Sequence, residues 1–158
     1  MNSQWFECKV KYDKTMETGL LKKVTETYMV DALSFTEAEK RFIEEMTPYI
    51  SGEFEVTDIK RARLADLFES IDASADRWFK AKIAYVTLDE KSGTEKRTNQ
   101  LVLVQATDFR NAVAALDKGM AGTLGDYVIV SMAETTIMDV YRYVVNGNHS
   151  EKPEFPEA

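Results

Sequence analysis

The chain has 158 residues, of which 44% are hydrophobic, 11% aromatic and 30% charged, the profile of an ordinary folded protein rather than a disordered tail. Twenty basic against twenty-seven acidic residues leave a net charge of −7, which opposes bulk attraction to nucleic acid or to an anionic membrane while leaving room for local basic patches. No apolar run approaches the ~20 residues that span a bilayer, the opening Met1–Cys8 lacks the layout of a signal peptide, and the single Cys8 fits a reducing compartment, so the expectation is a cytoplasmic protein without membrane attachment.

Taken in order, the first element is an alternating strand. Phe6, Cys8, Val10 and Tyr12 fall on one face and Trp5, Glu7, Lys9 and Lys11 on the other, the period of a half-buried strand. A polar turn over 13–19 ending in Gly19 leads to 24–32, rich in β-branched residues, and the two predict a long hairpin. Ser34-Phe35-Thr36-Glu37 has the form of a capping box, followed by Phe35, Ala38, Phe42 and Met46 at helical spacing and Glu37 and Arg41 as an exposed pair; Pro48 closes this helix. Strand returns over 54–67, with a kink or bulge expected near 61–65.

The same order then recurs. Trp78-Phe79-Lys80-Ala81-Lys82-Ile83-Ala84-Tyr85 lines up with Trp5–Tyr12, 73 residues earlier, keeping the aromatic pair, the lysine at the fifth place and the closing tyrosine. Val104–Ala112 matches Val30–Ala38, and more weakly Ala133 pairs with Ala62 and Ile137–Tyr141 with Leu64–Phe68. In this second copy Asp108 caps the helix, Phe109, Ala112 and Leu116 form its stripe, and Gly119 is expected at the left-handed C-terminal position. Strand over 127–143 completes it, with a kink expected near 133–136. The sequence thus predicts an α+β protein of two tandem ββαββ repeats, pseudo-symmetric, each an antiparallel sheet with one helix on a face. The first repeat spans 1–70, a short linker 71–77, the second repeat 78–145, and a mobile tail 146–158.

Little in the chain carries catalytic chemistry. Phosphate-loop and dinucleotide glycine signatures are absent, and the single histidine, His149, falls in the tail where nothing would hold it for catalysis or metal binding. Cys8 alternates with core residues and reads as a small buried hydrophobe. Acidic pairs such as Glu44 with Glu45, Glu53 with Glu55 and Asp89 with Glu90 fall at solvated helix and turn positions. No catalytic residue, metal or cofactor is therefore expected. The more informative constellation is the sheet face opposite each core, where Trp5, Lys9 and Lys11 in one half correspond to Trp78, Lys80 and Lys82 in the other, with Arg61 and Arg63 as an extension. Exposed rings flanked by lysines would stack bases of single-stranded nucleic acid. Against this, Glu7 interrupts the first patch, and tryptophans at strand starts serve equally well as packing groups. Leu101–Val104 and Tyr127–Val130 are apolar on both faces, which asks for cover on both sides, from the other half or from a second copy. A small non-enzymatic binding or assembly module follows, a homo-oligomer, most simply a dimer, or one engaging a protein partner; single-stranded nucleic-acid binding is the alternative.

The paired Trp-Phe-x-x-Lys openings and the stretch Val24–Glu39 resemble an uncharacterised family of bacterial and phage-encoded proteins classed as a domain of unknown function, over most of the chain to about Tyr143. That resemblance implies no activity, cofactor or site residue. A more distant likeness, in element order from Phe54 through Leu116, is to the PUR-type nucleic-acid-binding repeat of four strands and a helix; it would require a permuted arrangement here.

Overall fold

The computed structural model describes residues 4–123 and 125–142; the tail expected at 146–158, with His149, lies outside them. The elements follow in the order β1 (Gln4–Thr15), β2 (Leu21–Ala32), α1 (Phe35–Met46), β3 (Phe54–Ala62), β4 (Asp66–Phe68), β5 (Arg77–Leu88), β6 (Glu95–Ala106), α2 (Phe109–Met120), β7 (Asp126–Glu134) and β8 (Ile137–Tyr141). This is an α+β fold, with the ββαββ order in each half that the sequence predicts. The strands form two sheets of four, ordered β3-β1-β2-β8 and β4-β6-β5-β7.

The fourth strand of each half has a partner that the sequence reading does not supply. β4 pairs in parallel with β6, Leu67 opposite Leu103, and β8 pairs in parallel with β2, Val140 opposite Met29. Each sheet is therefore antiparallel over three strands and closed by a short parallel strand from the other half of the chain. The exchange is reciprocal and in matching register. Asp66 accepts a bond from the Leu67 amide and Asp139 one from the Val140 amide, both at 2.8 Å. Two compact units result, dividing the described residues into 4–62 with 137–142 and the stretch that begins at Arg63 and ends at Thr136. The breaks expected near 61–65 and 133–136 are the places where the chain crosses between units. The PUR-like order is not realised as one sheet, since β3 belongs to the first unit and β4, β5 and β6 to the second.

Within each unit, alternation decides what is buried. In the first, Phe6, Cys8 and Val10 of β1 and Val30 and Ala32 of β2 pack under Ala38, Phe42 and Met46 of α1. The second buries Ala81, Ile83, Val102 and Val104 under Leu116 and Met120 of α2, with Phe79 and Ala106 under Ala112. Burying a side chain of this size stabilises by about 1.5–3 kcal/mol, so these faces hold each helix to its sheet. Both helices start as expected: the Glu37 amide donates to Ser34 Oγ (3.1 Å) and the Asn111 amide to Asp108 Oδ1 (2.9 Å). The Glu37 carboxylate reaches back to the Leu33 amide at 2.6 Å.

Gly119 has a different role from the one expected. It lies inside α2, and a Cβ there would come within 2.7 Å of the Phe68 ring, so glycine is required for β4 to pack against the helix. The left-handed residue after the helix is Gly122, at φ +87°.

Candidate functional site

The two faces proposed for nucleic acid are built differently from one another. On the first sheet Trp5, Glu7, Lys9 and Lys11 share the face away from α1, as alternation requires. Register surrounds the cations with opposite charge or hydroxyls: Lys9 lies between Thr27 and Asp58, Lys11 between Thr25 and Glu55, and Glu7 between Met29 and Lys60. Neighbours at this spacing neutralise each other, which leaves the face without net attraction for phosphate. Trp5 is half-buried, and the Arg142 guanidinium lies 5.6 Å from its ring centroid.

Arg61 is not part of this face. It stands opposite Phe6 and lies over the Phe6 and Phe35 rings, at 5.8 and 5.4 Å, on the helix side of the sheet. The cause is a β-bulge. Lys9 pairs with Asp58 and Val10 with Val56, so Thr57 is an extra residue, and the side chains after it change face.

The second sheet places Lys80 and Lys82 on its face away from α2, both exposed, with Arg97 and Asn99 on the same face. Trp78 starts the strand but is only 2% exposed, and its carbonyl accepts from the amide and hydroxyl of Thr135 at 2.9 and 2.8 Å. A ring so enclosed offers no surface to a base, so the aromatic half of the stacking platform is missing here. Arg63 comes beside Lys82 in a shallow depression of about 450 Å³, lined also by Leu64, Ala65, Asn99 and Leu101. The structure thus brings Arg63 and Lys82 together and leaves Arg61, Lys9 and Lys11 elsewhere.

β3 and β7 occupy equivalent edges and share the same bulge, at Thr57 and at Val130. Facing away from the helix, β3 carries Glu55, Thr57, Asp58 and Lys60. At the corresponding places β7 carries Val128, Val130, Ser131 and Ala133. Val128 and Val130 are 38% and 48% exposed, so the described residues do not supply the cover that the apolar pattern of β7 asks for. β6, by contrast, buries Val102, Leu103 and Val104 completely, as its pattern requires.

Two further groups bear on chemistry. Cys8 is buried, and burial, with Glu7 and Asp58 nearby, pushes its thiol up to about 12, which keeps it protonated and unreactive. Sequence reasoning missed a polar cluster around Glu26, whose Oε1 accepts from the phenols of Tyr12 (3.0 Å) and Tyr28 (3.1 Å) and whose Oε2 faces Lys14 Nζ at 3.6 Å. Burial and the Glu26 bond push the Tyr12 phenol up to about 12, burial raises Tyr28 as well, and Tyr141 stacks on the Tyr28 ring at 5.9 Å. The cluster fastens the turn end of the β1–β2 hairpin. Its signal was present, since the register sets Tyr12 and Tyr28 one step either side of Glu26 on one face.

Fold and surface together define an α+β protein of two mixed four-stranded sheets, each with one helix on a face. Within that class, residues 4–143 match the model of the family described as a domain of unknown function (DUF4494), and the chain belongs to it. No curated protein matches the chain. Among the described residues no helix is long and apolar enough to cross a membrane.

Proposed function

We propose that the protein is a small non-enzymatic cytoplasmic module that assembles with a second copy of itself through the β7 edge. The observation that carries this is β7. From Tyr127 to Ala133 it has no charge, it pairs with β5 on one side only, and its outward valines are exposed. Unguarded apolar edges invite strand pairing, and natural edges are kept apart by charges such as those on β3. A two-fold axis through β7 would pair it antiparallel with its copy and set the valines of the two copies side by side across the new strand pair. The buried thiol of Cys8 supports the non-enzymatic reading, and an unpaired cysteine suits the cytoplasm.

Analytical ultracentrifugation from low micromolar to several hundred micromolar protein tests this. Concentration-dependent dimerisation that Val130→Lys abolishes, with an unchanged circular dichroism spectrum, is expected. A wild-type monomer throughout, or a variant that dimerises equally well, would overturn it. The tryptophan stacking platform is not carried forward, because Trp78 is enclosed and the Trp5 face is neutralised by Asp58 and Glu55.

A further inference from the structure

β4 is three residues long and pairs with β6 only at Val102–Val104, so among the described residues the first half of β6 has no strand partner on that side. The chain entering β4 stays tied to β6 by the Ala65 amide, which donates to the Leu101 carbonyl at 2.7 Å. Where the two diverge, the depression lined by Arg63, Leu64, Lys82, Asn99 and Leu101 opens. Its apolar part comes from Leu64 and Leu101, both half-buried, and its cations, Arg63 and Lys82, are exposed. Ion pairs fix other cations in place, Lys14 with Glu26, Lys23 with Asp13 and Arg77 with Glu134. The side chains of Arg63 and Lys82 form no ion pair among the described residues.

We propose that this depression binds an organic phosphate of nucleotide type, its phosphate between Arg63 and Lys82 and its planar base against Leu64 and Leu101. About 450 Å³ falls within the range of small-molecule sites, where apolar walls and a few polar groups divide the work. The pairing of cations favours phosphate over carboxylate. A guanidinium takes two phosphate oxygens at once while an ammonium acts as a point charge on the remainder, and a phosphate monoester carries enough charge for both. Asn99 supplies an amide able to donate to or accept from a base edge. The ligand is either a free mononucleotide or one unit of a single strand. The proposal does not rest on self-association through β7.

The test is a titration of the isotopically labelled full chain with adenosine monophosphate at low salt, followed by amide NMR. Shifts at Arg63, Lys82, Asn99 and Leu101 are expected, weakening as salt rises, with adenosine at least tenfold weaker. Arg63→Ala and Lys82→Ala should each weaken binding about tenfold; both residues are exposed, so the variants should fold and keep the wild-type sedimentation behaviour. A short oligodeoxyadenylate run in parallel separates the sources. Tighter binding per site than the monophosphate assigns the site to a strand, and equal or weaker binding assigns it to the free nucleotide. No shifts at these residues, or a double variant that binds like wild type, would overturn the proposal, and the sedimentation result would stand apart from either.

Discussion

β3 and β7 sit at the same place in their respective sheets, carry the same bulge and pack the same kind of face under a helix, yet they present opposite chemistry outward. On β3 the inward residues are Phe54, Val56 and Ile59; on β7 they are Tyr127, Ile129 and Met132. Those sets are interchangeable in character because each unit needs a core. The outward sets are not, for Glu55, Asp58 and Lys60 keep one edge soluble while Val128, Val130 and Ala133 leave the other bare. The fold constrains one side of each strand and leaves the other free, and the free side of β7 is the surface on which the proposed self-association rests.

Several substitutions would break or sharpen this comparison. The largest effect belongs to the side both units share. Phe42→Ala should cost about 3–5 kcal/mol and the equivalent Leu116→Ala about 2–5 kcal/mol in denaturant unfolding, each opening a cavity between helix and sheet. Next is a position where the units differ inside. Gly119→Val should destabilise by about 1–3 kcal/mol because the Phe68 ring occupies the space, whereas the corresponding Glu45 of α1 already carries a long side chain. Ser34→Ala and Asp108→Ala should each lose about 1 kcal/mol, equal within error if the two caps are equivalent, as thermal melts would show. The smallest effect is confined to the first unit. Because the Tyr12 phenol is raised to about 12 in the folded chain, its contribution is intact below pH 10, begins to fall as the unfolded tyrosine ionises near 10, and is lost by about 12. Stability measured across that window should decline less in Glu26→Gln, which removes the carboxylate that holds the phenol protonated.

Much of the architecture was legible because it is local or periodic. Alternation in Phe6–Tyr12 and Phe79–Tyr85 sets the core faces, Ser34 and Asp108 mark the helix starts, and the 73-residue correspondence pairs the halves. The exchange of β4 and β8 was not legible. Asp66-Leu67-Phe68 and Asp139-Val140-Tyr141 share one pattern, which suits the edge of either sheet, and the choice is made by long-range packing. Arg61 was misplaced for a smaller reason: one extra residue at Thr57 changes the face of everything after it, and a bulge leaves no mark in composition. Lys82 is readable from the alternation of its own strand, whereas Arg63, expected only as an extension of the Trp/Lys faces, comes beside it through the chain crossing into the second unit.

The account turns on whether the bare β7 edge is used, and sedimentation velocity on matched Val130→Lys and Thr57→Lys variants asks this directly. The expected result is a dimer for wild type and for Thr57→Lys, whose change falls on an edge already guarded by charge, and a monomer for Val130→Lys. Loss of the dimer in both variants, or in neither, would contradict it.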